Sequence, residues 1–363
     1  MTRRSLTGML LAAGAAGRAQ QPAGDKPVRL VIAGMTHGHV AGFFRRFAGR
    51  PEIEVVGITE AQRPVFERYA AEFKLDPKLF FPSLDAALDA AKPEAVMAYS
   101  NTFEHKAIVE ACARRRVHVM VEKPLAVGME HARAIERAAK QAGIYVLVNY
   151  ETTWYPTTQQ LPSRLANGIG KLRKIVVRDG HQGPKEIGVP PEFLDWLTDP
   201  ARNGGGALFD FGCYGANLVT WLMNGRRPST ILASVQTMKP AIYAKVDDDA
   251  TILLTYPNTQ ATIQASWNWP FSRKDIDIYG ETGYLLAPDR DTFRFRAPGK
   301  RDEQVTKLTP LTNDFKDEVS YLAAVVRGRI QPDGLSSLAL NMVVTEILDA
   351  ARRSAREGRS IGL

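Results

Sequence analysis

At 363 residues the chain is longer than one average domain, and two domains are expected. Its 45% apolar and 24% charged residues are those of a globular protein with a sizeable core, not of a disordered or fibrous chain. The net charge of +8 falls to +5 from Gln20 onward (44 basic against 39 acidic residues), and no long run of like charge marks a nucleic-acid partner.

The N-terminus reads MTRRSLTGMLLAAGAAGRAQQ. A basic start, a weakly apolar run from Leu6 to Ala16 and small residues on either side of Arg18 form the layout of a cleaved export signal. The Thr2-Arg3-Arg4-Ser5-Leu6 core resembles a twin-arginine signal. Residues 1–26 are therefore expected to be a leader and short linker, and the mature protein to be periplasmic or otherwise exported. No other segment reaches 18 consecutive apolar residues, so no membrane insertion is expected after processing.

From Val28 the sequence alternates. Apolar strand-like runs at 28–34, 54–60, 95–99, 117–121 and 144–148 are separated by helix-like spacing at 39–49, 61–73, 105–115 and 129–142. A further helix follows Ser83, a candidate N-cap. Continuous apolar strands between helices predict an α/β, Rossmann-like domain over 27–150, its parallel sheet covered on both faces. After residue 150 a helix at 157–167 is followed by strand-like runs at 172–178, 229–238, 249–256, 259–267 and 274–279. One helix near 206–224 interrupts them, and 314–357 reads as helical. Residues 151–363 are expected to form an α+β domain with a large, mostly antiparallel sheet, whose last helices return to the first domain. The two cysteines, Cys112 and Cys213, lie in apolar helical contexts with no CxxC pattern and read as buried thiols.

Three stretches carry chemistry. The first is Gly34-Met35-Thr36-His37-Gly38-His39, where the first strand turns into a helix. Gly34 suits the tight turn, but Thr36 and His39 stand where a dinucleotide fingerprint has glycines. The acid Glu60, at the end of the second strand, is placed to meet the adenosine ribose hydroxyl and favours NAD over NADP. Arg63 weakens that preference, so NADP stays possible. A solvated strand-end acid is the alternative for Glu60. His37 and His39 form an H-x-H pattern, but zinc needs three or four ligands and no neighbouring motif supplies them, so no metal is expected. The histidines are expected to face a pyrophosphate, with loop packing as the alternative. The second stretch is Val121-Glu122-Lys123-Pro124, which places a charged pair at the carboxyl end of a buried strand, where open α/β sheets bind ligands. The third is Gly204-Gly205-Gly206 followed by a helix that carries Asp210 and Tyr214 four residues apart. A carboxylate beside a phenol suits proton transfer to an alcohol or carbonyl oxygen; a hydrogen-bonded structural pair is the alternative.

Glu122-Lys123-Pro124, Ser100-Asn101-Thr102-Phe103-Glu104-His105 and GGGALFDFGCYGANL together resemble the glucose–fructose oxidoreductase / inositol dehydrogenase / MocA family. The likeness runs from Val28 to the C-terminus. It implies an NAD(P)-dependent oxidoreductase acting on a sugar or polyol, with a second domain that closes the active site and often mediates a homo-oligomer, a dimer or tetramer. By motif, Lys123 takes the family's catalytic lysine position and Asp210 its aspartate position. Many members have histidine where this chain has Tyr214, and Tyr214 is similar to the tyrosine acid/base of glucose–fructose oxidoreductase and the dihydrodiol dehydrogenases. Ser100, Asn101, His105 and Glu122 are expected beside the cofactor, and His181 at the substrate, with a surface-loop role as its alternative. Lys123 is expected to hydrogen-bond the reacting oxygen and depress the Tyr214 pKa. Transient-oxidation glycoside hydrolysis and non-catalytic NAD binding are the rival activities.

Overall fold

The computed structural model describes residues 26–166 and 168–363; the expected leader lies outside them. The first domain contains β1 (Val28–Ala33), α1 (His39–Arg46), β2 (Ile53–Thr59), α2 (Arg63–Phe73), β3 (Phe80–Phe81), α3 (Leu84–Ala91), β4 (Ala95–Ala98), α4 (His105–Ala113), β5 (His118–Glu122), α5 (Met129–Ala142) and β6 (Val146–Asn149). The six strands are parallel in the order β3-β2-β1-β4-β5-β6. The order in which successive strands are added reverses at β1, so a crevice opens at the carboxyl ends of β1 and β4. Local signals explain the helix ends. Ser83 Oγ accepts the Ala86 N–H (3.2 Å) at the start of α3, and Gly143, with positive φ, ends α5.

The second domain contains α6 (Pro156–Ala166), β7 (Leu172–Gly180), α7 (Pro191–Leu197), α8 (Pro200–Asn203), α9 (Ala207–Asp210), α10 (Gly212–Leu222), β8 (Thr230–Gln236), β9 (Asp249–Thr255), β10 (Gln260–Ser266), β11 (Arg273–Gly280), β12 (Tyr284–Ala287), β13 (Thr292–Arg296), β14 (Gln304–Lys307), α11 (Glu318–Val326), α12 (Leu338–Glu357) and β15 (Ile361–Gly362). Its nine strands run β14-β13-β12-β11-β7-β10-β9-β8-β15, antiparallel except for the β7–β10 pair. The expected helix near 206–224 is two helices that part at Phe211, and the helical tail is α11 and α12 with a loop between them. α11 buries Val319, Leu322 and Val325 among β1 and α1 residues. Asp349 on α12 accepts the Met129 N–H at the start of α5 (2.6 Å). The C-terminal helices thus brace both sheets, and the site forms where the sheets meet.

Candidate active site

The first wall is the β1 turn. Gly34 has φ +79°, and a Cβ there would lie 2.9 Å from the Ser100 Cβ, so only glycine lets this turn pass the one after β4. The Met35 and Gln62 N–H groups donate to the two Glu60 oxygens (2.6 and 2.7 Å). Burial pushes the Glu60 pKa up, and these bonds oppose it. Asn101 Oδ1 accepts the Glu104 N–H (3.1 Å) and fixes the turn after β4. Gly34, Thr36, Glu60, Ser100 and Asn101 line a crevice of about 520 Å³ beyond the strand ends. Its size, its glycine cradle and the carboxylate on its rim fit a dinucleotide. Arg63 is engaged by Glu67 (2.9 Å) and the Phe80 ring (4.4 Å).

His37 and His39 lie on the other side of the loop. His37 is buried against Phe193 and Trp196 of α7 (4.6 and 5.6 Å between centroids), and Trp196 donates to the Thr36 carbonyl (3.3 Å). Glu122, at the end of β5, completes a His-His-Glu cluster that sequence spacing had not supplied. His39 Nδ1 is 3.1 Å and His37 Nε2 3.9 Å from Glu122 Oε2. The His37 Nδ1 accepts the His39 N–H (3.2 Å), so the neutral ring carries its proton on Nε2 and offers no lone pair to a metal there. Burial lowers the His37 pKa well below its ordinary value, so the ring is neutral at physiological pH. Burial alone would raise the Glu122 pKa, but His39, which faces and hydrogen-bonds it, and the Lys123 ammonium hold it well below the usual range. Asn149 Nδ2 donates to Glu122 Oε1 (3.0 Å) and is itself oriented by Trp154 Nε1 (2.9 Å).

His105, expected beside the cofactor, is fully buried and lines none of the cavities described here. Its Nδ1 bonds the Leu125 carbonyl (3.2 Å), so it braces the backbone beyond Lys123-Pro124, a cis peptide.

Lys123 and Asp210 meet at the centre. The Lys123 ammonium donates to the Asp210 carbonyl (3.0 Å) and to its carboxylate, which also accepts the Trp267 Nε1–H (2.9 Å). Burial opposes both charges; each is held by the other, with the Asp210 pKa below its ordinary value and that of Lys123 above. The glycine run makes this placement feasible: a Cβ on Gly206 would lie 1.8 Å from the Asp247 carbonyl oxygen. Asp247 then caps α9 by accepting the Gly206 and Leu208 N–H groups (2.9 and 2.6 Å).

Tyr214 lies beyond the break at Phe211, edge-on to Tyr150 (5.4 Å), with the Lys123 Nζ 5.3 Å from its ring centroid. The net shift of the phenol runs opposite to the depression expected from Lys123. Burial raises its pKa well above ordinary, and the nearby Glu151, Glu122 and Asp210 add to the rise. The Lys123 charge is already matched by Asp210. His181 is also neutral through burial, and its Nδ1 accepts the Gly183 N–H (2.9 Å), which leaves Nε2–H as a donor. Lys123, Asp210, Tyr214, His181, His37 and His39 share a cavity of about 280 Å³. A cationic ammonium, a protonated phenol and an imidazole N–H there suit a substrate oxygen that gains negative charge.

A second cavity of about 600 Å³ adjoins it along the β7 and β11 faces. Lys274 borders both cavities, with its Nζ 4.7 Å from the Tyr214 ring centroid and its charge paired with Glu151. Sequence reasoning missed Lys274; its signal was only a lysine at the head of a strand. Of the tryptophans, Trp154 and Trp196 are buried, while Trp269 stacks on Arg273 (4.5 Å).

The cofactor crevice, its cradle and the adjoining donor cluster define a nicotinamide-dependent oxidoreductase. Residues 28–150 match the oxidoreductase family with an NAD-binding Rossmann fold, and residues 159–286 match the GFO/IDH/MocA C-terminal domain; the chain belongs to this family. It is similar to trans-1,2-dihydrobenzene-1,2-diol dehydrogenase of Macaca fascicularis, with 28% identity over 84% of this chain and 90% of that protein. The Bos taurus counterpart is 29% identical over 84% and 88%. In fold it is similar to an inositol dehydrogenase homologue from Azotobacter vinelandii complexed with NAD+ (TM-score 0.79, 18% identity, 93% of this chain and 98% of that one). It is likewise similar to an aldose–aldose oxidoreductase from Caulobacter crescentus complexed with glycerol (TM-score 0.78, 21% identity, 93% and 100%).

Proposed function

We propose that the protein interconverts a secondary hydroxyl and a carbonyl on a sugar, polyol or related diol, with NAD as the redox partner. The observation that carries this reading is the convergence of Lys123, Tyr214 and His181 on one cavity beside the cofactor crevice. The relatives named above act on or were crystallised with polyhydroxylated compounds, which supports that substrate class.

Bound in the crevice, NAD supplies the hydride acceptor or donor. Gly34 and Thr36 would hold its phosphates, Glu60 its adenosine ribose, and Ser100 and Asn101 its central part. Lys123 orients the substrate oxygen and stabilises its developing charge. Tyr214, kept protonated by burial, gives its proton to a carbonyl oxygen in reduction and is left as the phenolate; oxidation is the reverse step, in which that phenolate takes the hydroxyl proton as the carbonyl forms. Asp210 fixes the Lys123 ammonium. Glu122, with His37 and His39, keeps a fixed anion beside the cofactor loop. Glu60, together with an Arg63 already engaged, supports NAD over NADP.

The test is incubation of purified protein with NAD+ or NADP+ and a panel of inositols, aldoses and cyclic diols, reading NADH or NADPH formation. Turnover with NAD+ on at least one polyol is expected; release of an aglycone from chromogenic glycosides without net NADH would overturn it. The leader sequence supports export by the twin-arginine route, and cell fractionation of an Arg3→Lys/Arg4→Lys variant checks it. Exposed Leu232, Val235 and Tyr279 on strands of the second sheet support a homo-oligomer, a dimer or tetramer, which light scattering would read.

A further inference from the structure

We propose that Lys274, acting with Glu151, contacts the substrate and reads the second hydroxyl of a vicinal diol, on the carbon next to the one handled at Tyr214. The proposal rests on the oxidoreductase reading for the identity of the first hydroxyl and goes beyond it in naming the substrate pattern and the residues that select it.

Three residues border both the inner and the outer cavity: His181, Phe211 and Lys274. Only Lys274 among them is a cation. An ammonium has three N–H donors. Lys123 directs two toward Asp210. Lys274 makes one hydrogen bond, to Glu151, and so keeps two donors at the junction of the cavities. The position is set by strand register. Lys274 stands opposite Asp179 across the β7–β11 pair, and Asp179 is buried with neither carboxylate oxygen partnered. Directly opposed side chains lie within reach of each other, so Lys274 has a second acceptor when a ligand engages Glu151.

A hydroxyl is the chemical match to a lysine–glutamate pair, because it accepts from the ammonium and donates to the carboxylate at once. The Tyr155 O–H already donates to Glu151 Oε1 (2.7 Å), which holds the carboxylate in place. Three of the arginines lining the outer cavity are matched by carboxylates, and a further one, Arg290, lies over the Tyr155 ring (5.4 Å). Arg178 is paired with Asp275 and Asp277, Arg273 with Asp275 and Arg294 with Glu303. With Lys274 beside the Tyr214 ring, a hydroxyl on the adjacent carbon reaches it while the first stays at the phenol.

The test compares binding of trans-1,2-cyclohexanediol and cyclohexanol to NAD-saturated protein by calorimetry. Wild type is expected to favour the diol by on the order of tenfold, the worth of a hydrogen bond to a charged group. Lys274→Met should abolish the preference, with the loss falling mainly on the diol, and Lys274→Arg should restore part of it. Glu151→Gln, which keeps the side-chain shape, should weaken the preference, and it carries the test if Lys274→Met fails a thermal-unfolding check. Equal affinity of wild type for the two probes, or an undiminished preference in folded Lys274→Met or Glu151→Gln, would overturn the proposal. Diol preference in binding with no NADH formed from any polyol would instead sink the oxidoreductase reading and leave the role of Lys274 in binding intact.

Discussion

Two lysine–carboxylate pairs flank Tyr214, and they are built differently. Lys123 and Asp210 are both nearly inaccessible, and Asp210 is held further by Trp267. Lys274 and Glu151 face open cavities, with side chains 18% and 49% exposed. A buried pair cannot lose one partner without stranding a charge, whereas an exposed pair exchanges its partner for water or ligand at little cost. The inner pair is therefore suited to fixed chemistry and the outer to recognition.

The sharpest way to break this contrast is Asp210→Ala, which leaves the Lys123 ammonium buried and unpaired. A loss of about 3–5 kcal/mol in unfolding free energy is expected, against a clearly smaller loss for Glu151→Gln, whose side chain is half-exposed. Equal losses in denaturant titrations would erase the distinction. Tyr214→Phe keeps the packing and removes the phenol; kcat is expected to fall about 10²–10⁴-fold with little change in Tm. Gly34→Ala forces a side chain into left-handed backbone against Ser100 and should cost about 1–3 kcal/mol together with NAD affinity, read by calorimetry.

A smaller effect appears in acid. Burial would raise the Glu151 pKa, but Lys274 and Tyr155 pull it from an ordinary 4.5 to about 2. A depressed carboxylate contributes stability that is present above its unfolded pKa and lost as pH falls through the folded one. Wild type should therefore lose more Tm than Glu151→Gln between about pH 4.5 and pH 2; parallel curves would remove the pairing from the account. The smallest effect is at the thiols. Burial pushes Cys112 and Cys213 up to about 12, so neither should be alkylated by iodoacetamide in the native protein at mildly alkaline pH.

The same inner–outer division separates what the sequence disclosed from what it hid. Strands β1, β2, β4, β5 and β6 were legible because each is a continuous apolar run between helices. The inner pair was legible because Lys123 follows such a run and Asp210 follows a glycine stretch. β12, β13 and β14 were missed: they are short, and β14, Gln304–Lys307, is polar and lies at the sheet edge, where no burial pattern marks a strand. α7 was hidden behind Val189-Pro190-Pro191, which reads as a loop, although its Phe193 and Trp196 cover the cofactor loop. The contact of Glu122 with His37 and His39 joins residues more than eighty positions apart, and local spacing carries no trace of it. Lys274 acquires its place only from the β7–β11 register.

The central claim is that the Lys123 ammonium, fixed by Asp210 beside Tyr214, acts on the substrate oxygen. Single-turnover NADH formation by NAD-loaded Lys123→Met, with a polyol that wild type oxidises, tests it most directly. The account predicts that NAD still binds while the NADH signal falls by at least about 10²-fold; a wild-type rate from the folded variant would contradict it.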